Sequence, residues 1–234
     1  MASNTLLQLK TEARQRADMQ NSNFVGDDEL KNYINNSISE LHDIMIQAYE
    51  SDYYINEVTF QTTKDQESYD LSTVIPADDL YKLRGVDAKL NKSDFYTLQP
   101  FMFNERNRNQ NFGAWSYLGL SNVRYRLVGN TIRFTPIPDD NIEIRLWYIP
   151  TAQNLINDTD TLRDLNNFSE YIIVDAAIKM LQKEESDVTV LMAQKVALKR
   201  RIEEAANNRD AGMGDSVSDV YNENNEYYQG RTSS

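Results

Sequence analysis

The tightest constraint on this chain is the run from Asp28 to Tyr49, where Leu30, Ile34, Ile38, Leu41, Met45 and Ala48 recur at steps of three and four. That spacing draws an apolar stripe down one side of an α-helix. Burying its five larger side chains is worth on the order of 8 to 15 kcal/mol before conformational entropy opposes it. The helix therefore has to pack against other elements. Asp27 or Asp28 is expected to cap it, and Phe24 with Val25 to close over its first turn as a hydrophobic staple.

The flanking sequence supplies the partners. Thr5 to Met19 sets Leu6, Leu9, Ala13 and Ala17 at helical spacing, and Asn21, Ser22 and Asn23 end that segment because their side chains compete for backbone hydrogen bonds. Near the other end, Phe168, Ile172, Ala176 and Met180 mark a helix capped by Asn166 or Asn167. Val188, Leu191, Leu198, Ile202 and Ala205 mark another, with Lys195 interrupting the stripe. A link at Glu185 to Asp187 makes these two antiparallel.

Between the helices the period changes to two. Tyr54, Asn56, Val58 and Phe60 alternate with Ile55, Glu57, Thr59 and Gln61, and a polar turn at Lys64 to Glu67 before Ser68 to Leu71 suggests a hairpin. Pro76, Ala77 and Asp78 read as the start of a single helical turn, Leu83 to Leu90 as a strand, and Phe95 to Arg106 as a helix. Asn104 to Asn111 has no apolar residue and reads as an exposed loop. The best hairpin is Val123, Tyr125 and Leu127, then Gly129-Asn130, then Ile132 and Phe134, stopped by Pro136 and Pro138. Ile142, Ile144, Leu146 and Tyr148 form one face of a further strand.

The expected fold is thus α+β. Helices from 1–52 and 165–207 form a bundle, 53–164 is a central, antiparallel, β-rich insertion, and 208–234 is an extended tail. The tail carries a net charge of −3, from Arg209 and Arg231 against five acids, yet it holds Val217, Val220, Tyr221, Tyr227 and Tyr228. Alone it buries too little to offset its ordering cost, so a partner must supply the surface. No solenoid-type repeat is present.

Composition removes several function classes. The 234 residues include no Cys and one His, which excludes disulfides, thiol nucleophiles and thiolate metal sites. The net charge of −12 argues against tight nucleic-acid binding, which needs Lys and Arg to neutralise phosphates. A mean hydropathy of −0.64, with no apolar run near the ~20 residues of a span, predicts a soluble chain without a membrane partner. No basic-then-apolar leader follows Met1, so secretion is not expected.

Chemistry is sparse. His42 lies beside the stripe and reads as a packed aromatic. The pairs Asp27-Asp28, Asp78-Asp79 and Asp139-Asp140 sit at turns and helix starts, where capping explains them. Asp158 and Asp160 resemble the start of a calcium loop, but Arg163 stands where glycine is needed. No catalytic residue, cofactor or metal is expected. Lys195, Lys199, Arg200 and Arg201 read as a solvated face paired with Glu203 and Glu204. A second basic group, Arg106, Arg108, Arg124, Arg126 and Arg133, flanks Phe112, Trp115 and Tyr125, a composition that suits a protein interface better than DNA on so acidic a chain.

The stretch from Arg14 through Ala17, Asp18 and Phe24 to Val25, continued by Asp27, Glu29-Leu30, Tyr33-Ile34-Asn35, Ser37 and Glu40-Leu41, resembles the N-terminal signature of adaptor proteins that join head to tail in short-tailed bacteriophages. Ile75 to Asp78 with Lys82 to Val86 is similar to a second family segment, and Asn130 to Pro136 with the following helices to a third. The resemblance implies a ring of about twelve copies, a dodecamer, at the head-tail junction of the virion. Such a ring sits beneath the portal protein, docks the tail nozzle or tail tube, and lets genomic DNA pass without binding it specifically. On this reading Arg14, Asp18, Phe24, Asp27, Leu30, Tyr33 and Ile34 hold the first two helices together. Val217, Val220, Tyr221, Tyr227 and Tyr228 anchor the tail on the portal or an adjacent subunit, and Arg106, Arg108, Phe112 and Trp115 offer an interface loop. Three other classes stay open: a nonviral interaction module, a hydrolase built on the Asp pairs, and a DNA-binding protein using the Arg-rich β face.

Overall fold

The computed structural model describes residues 4–48, 54–76, 79–89, 94–106, 123–162 and 168–207. Helix α1 (Leu6–Arg16) starts on a reciprocal cap, in which Thr5 Oγ1 accepts from the Gln8 N–H at 3.2 Å and Gln8 Oε1 accepts from the Thr5 N–H at 2.9 Å. Helix α2 (Asp27–Ala48) buries Leu30, Ile34, Ile38, Leu41 and Met45. Among the described residues there follow eight strands and a short helix: β1 (Asn56–Gln61), β2 (Ser68–Asp70), α3 (Leu71–Val74), β3 (Lys82–Lys89), β4 (Phe95–Thr97), β5 (Gln99–Pro100), β6 (Arg124–Val128), β7 (Thr131–Thr135) and β8 (Glu143–Ile149). It closes with α4 (Ser169–Lys183) and α5 (Thr189–Asn207). The protein is α+β.

Helix α4 is buried nearly all round, from Tyr171 to Ile178 and at Met180, which makes it the centre of the helical part. It packs against α1, α2 and α5, and the buried residues of these four helices form one core. Leu155 and Leu162, from the segment after β8, enter that same core.

The strands form two four-stranded sheets, ordered β1-β8-β3-β4 and β2-β7-β6-β5. Val86, Ala88, Ile144, Leu146 and Tyr148 from the first and Tyr69, Ile132 and Phe134 from the second share a second core. The β6–β7 turn is the one the sequence indicates: Gly129 takes φ of 57°, a conformation that glycine adopts at little cost.

Several expectations are corrected. The hairpin expected across Lys64 to Glu67 does not form, because β1 pairs with β8 and β2 with β7 in the other sheet. Phe95 to Arg106 is two short strands and a 3-10 turn at Phe103–Glu105 rather than a helix. The β region is not wholly antiparallel, since β5 runs parallel to β6. Neither Asp27 nor Asp28 caps α2; both lie in its first turn, and the Gly26 carbonyl accepts from the Leu30 N–H. Val25 is fully buried below that turn, but Phe24 is half exposed, so only one of the two fits the staple. Phe168 holds the position expected of Asn166 or Asn167 at the start of α4. Lys195 is partly buried and turned onto Asp175 rather than lying on the solvated face, whereas Lys199 and Arg200 do pair with Glu203 and Glu204.

Tyr49, Ala77, Asp78, Leu90, Arg108, Phe112, Trp115, Asn166, Asn167 and the tail residues Val217, Val220, Tyr221, Tyr227 and Tyr228 lie outside the described residues.

Candidate assembly interface

The signature segment builds a joint. Ala17 ends α1, Asp18 turns the chain at φ of 55°, and Arg14 reaches across the resulting loop. Its guanidinium donates to the carbonyls of Ser22 (3.0 Å) and Val25 (2.9 Å) and to Asp27 Oδ1 (2.8 Å). One planar fork thus closes the α1–α2 corner at three points. Leu30 and Ile34 face the core, and the Tyr33 hydroxyl donates to Glu29 at 2.7 Å. Glu29 in turn accepts from Lys183 of α4, whose ammonium lies 4.9 Å from the centre of the Phe24 ring and donates to the Phe24 carbonyl. Phe24 therefore touches α4, not only the first two helices.

Further down α2, polar residues of the same signature enter the interior. Asp175 of α4 is almost fully buried and accepts from Ser37 Oγ and Lys195 Nζ, both at 2.6 Å, and from Lys179 Nζ. Glu40 accepts from both lysines, at 3.1 and 2.9 Å. Burial disfavours the Asp175 carboxylate, but the bonds from Lys179, Lys195 and Ser37 outweigh it and hold its proton affinity below the ordinary aspartate range. Burial likewise opposes the Lys195 charge, and Asp175 with Glu40 more than reverses this, keeping the ammonium protonated well above its usual range. Three helices are thereby joined by charge as well as by packing.

The β region carries two surface clusters. On the outer face of the first sheet, Asp87 Oδ2 accepts from the Arg145 guanidinium (3.1 and 3.2 Å) and from Trp147 Nε1 (2.7 Å), while Arg145 stacks 4.0 Å from the Phe95 ring centre. On the second sheet, Arg106 and Arg126 lie over the exposed Phe103 ring at 4.6 and 5.5 Å. Arg126 also donates to the Phe101 carbonyl, Arg124 to Glu105, and Arg133 pairs with Glu67. These arginines are engaged by carboxylates, carbonyls and a ring, which reduces what they could offer a phosphate backbone.

A cavity of about 330 Å³ lies where the helices meet the sheets, lined by Ile38, Leu41, His42, Tyr54, Pro150 and Leu162 among others. His42 is buried there against Tyr54 (4.6 Å between ring centres) and Tyr81 (5.3 Å). Burial lowers its proton affinity, with Asp43, the Pro150 carbonyl and Asp79 acting the other way. Asp79 accepts from the Thr151 N–H and hydroxyl, and Asp158 accepts from Lys10, so these acids brace segments of the fold. Among the described residues no group of three His, Cys, Asp or Glu side chains could hold a metal ion, and no helix is long and apolar enough to cross a membrane.

The SU10 adaptor protein family matches residues 4–220, nearly the whole chain, spanning every helix and both sheets described above. The chain belongs to that family. It is a phage adaptor, a structural component of the virion that works among head and tail proteins. Comparison with curated proteins finds no match.

The residues that sequence reasoning left without a role are Asn35, Ser37, Glu40, Asp87, Asp175, Lys179 and Trp147. A signal for one of them was present: Asp175 interrupts the apolar run Tyr171 to Ile178, and its partner Lys195 interrupts its own stripe. Opposite charges placed at the same kind of interruption are a pairing cue.

Proposed function

We propose that this adaptor assembles as a ring of about twelve copies beneath the portal, seats the tail nozzle or tail tube on its other side, and leaves an open conduit for DNA. The observation that carries this reading is the adaptor family match over residues 4–220. The net charge of −12 supports it, because a conduit wall of like charge offers DNA few places to adhere. In this reading the protein works by assembly rather than catalysis.

The helical part, 1–52 and 165–207, packs between neighbours around the ring, and the β-rich part, 53–164, is presented to a partner. Arg14, Asp18, Asp27, Leu30, Tyr33 and Ile34 fix the α1–α2 corner, and Phe24 adds α4 to it. The outer cluster of Arg106, Arg124, Arg126 and Phe103, together with Arg108, Phe112 and Trp115, forms a protein-facing surface. Val217, Val220, Tyr221, Tyr227 and Tyr228 supply anchors for the portal or an adjacent subunit.

The test mixes the purified chain with its cognate portal ring and images the product by electron microscopy, alongside cosedimentation of a chain ending at Asn208. A ring of copies stacked on the portal, with weaker capture of the shortened chain, is expected. Failure of the full chain to associate with the portal overturns the reading, and undiminished capture of the shortened chain overturns the role given to the tail.

A further inference from the structure

Over its first two turns, helix α5 is apolar on the side away from the core. Val190 and Val196 are 78% and 69% exposed, Met192 is 44% exposed, and Ala193 and Ala197 are exposed beside them. On a helical projection these five span roughly half the circumference of the first two turns, opposite the stripe of Leu191, Lys195, Leu198 and Ile202. A helix apolar on both sides normally has a second partner.

The chain itself carries a segment of matching chemistry within reach. Residues 208–234 start where α5 ends, and Gly212 and Gly214 lie between Asn207 and the first anchors, Val217, Val220 and Tyr221. Glycines there permit a reversal of direction. Val196 lies eleven residues back from Asn207, about 17 Å along the helix, and Val190 about 26 Å. The fourteen residues from 208 to Tyr221 can span up to about 46 Å extended, enough to turn and reach either. The segment's net charge of −3 is opposite in sign to the small excess left near the end of α5, where Lys199, Arg200 and Arg201 stand against Glu203 and Glu204. The family match runs to residue 220, thirteen residues past α5, so the first part of this segment belongs to the matched unit.

We propose that in the free subunit the chain's own tail, through Val217, Val220 and Tyr221, covers the outward apolar face of α5. The tail thereby occupies a surface that would otherwise be open to another copy. This goes beyond the portal reading and does not require it.

The absence of Cys makes the test direct. A chain carrying V196C and Y221C is treated with a short bismaleimide at low concentration, beside a control carrying L7C and Y221C, whose Leu7 is exposed on α1 across the helical core. Far-UV circular dichroism matching the parent establishes that both are folded. A product of monomer mass, formed several-fold more in the first chain than in the control, is expected. Equal yields in the two overturn the proposal, as does the absence of any product. Crosslinking only between separate V196C and Y221C chains overturns it as well, in favour of a neighbouring copy as occupant. Portal binding is scored separately on the unmodified chain, so either result stands without the other.

Discussion

Asn35 of α2 and Leu155 of the segment after β8 hold each other by a matched pair of hydrogen bonds: the Asn35 amide donates to the Leu155 carbonyl at 3.0 Å, and its carbonyl oxygen accepts from the Leu155 N–H at 2.9 Å. Leu155 is fully buried in the helical core, so the pair satisfies a backbone that has left the sheet and entered the helices. The same segment is tied to α1, where Leu6 and Leu7 donate to the carbonyls of Asp160 and Asp158, and Lys10 pairs with Asp158 at 2.6 Å.

Replacing Asn35 should therefore loosen the join between the two cores. Asn35→Leu leaves both backbone groups of Leu155 without their partner, and Asn35→Asp sets a carboxylate against the Leu155 carbonyl. A loss of about 1 to 3 kcal/mol is expected for either. Urea unfolding reads it as a lower midpoint at unchanged slope. Midpoints equal to the parent would show that water serves Leu155 equally well.

Much of this join was hidden from the sequence. The stripe of α2, the β6–β7 hairpin and the helix pair at the end were legible because periodicity and a Gly-Asn turn are local signals. Which strand lies beside which was not. β1 and β8 pair across more than eighty residues, and a polar turn such as Lys64 to Glu67 serves a change of sheet as readily as a hairpin. The joint at Arg14 was legible as a cluster of signature residues but not as a geometry, since its acceptors are mostly backbone carbonyls and any sequence supplies those. Lys195 was visible as an oddity in its stripe, and only the structure brings it to Asp175.

The Asp175 cluster should be sensitive to both substitution and pH. Asp175→Asn leaves Lys179 and Lys195 facing a neutral amide in the interior, and about 3 kcal/mol should be lost. Lys195→Met keeps Lys179 and Ser37 on Asp175 and should cost about 1 to 2 kcal/mol, reduced because the lysine is partly exposed to water. The folded Asp175 binds its proton less readily than the free side chain, so its contribution is present above the ordinary aspartate value of 3.8 and is lost as pH falls through the folded value. Lys195 is shifted the opposite way, so its contribution is present below 10.5 and is lost as pH rises through the folded value. Thermal unfolding across pH should show Asp175→Asn with a flatter acid limb than the parent; parallel curves would reject the assignment.

Arg14 should not tolerate lysine. A lysine ammonium can reach one or two of the three acceptors, but it lacks the planar fork that meets Ser22, Val25 and Asp27 together. Arg14→Lys is expected to lose about 1 to 2 kcal/mol and Arg14→Met somewhat more. Hydrogen exchange is the discriminating measurement: protection should fall first between Ala17 and Gly26. Loss spread evenly over α1 and α2 would mean that the fork does not hold the corner.

His42 gives a prediction of the same pH sense as the lowered carboxylates, a loss of stability toward acid, but in a higher window, because here the neutral form is the one that fits. Its ring is enclosed by Tyr54 and Tyr81, and its Nε2 is buried without a hydrogen bond. The folded ring therefore resists protonation, its affinity lying below the ordinary histidine value of 6.5. Above that value both states are neutral and the site adds no pH dependence. Below it the unfolded chain takes up a proton that the folded chain refuses, so stability falls as pH drops from 6.5 toward the folded value, at no more than about 1.4 kcal/mol per pH unit for one proton. His42→Phe keeps an aromatic against both tyrosines and has nothing to titrate. At pH 7 the variant should lie within about 1 kcal/mol of the parent, since it removes a buried acceptor without a donor but also the hydrogen bond to the Pro150 carbonyl, and relative to that value it should gain on the parent increasingly between pH 6.5 and 5. Unfolding curves for the two proteins that stay parallel through that interval would mean that the folded ring takes up its proton as easily as the unfolded one.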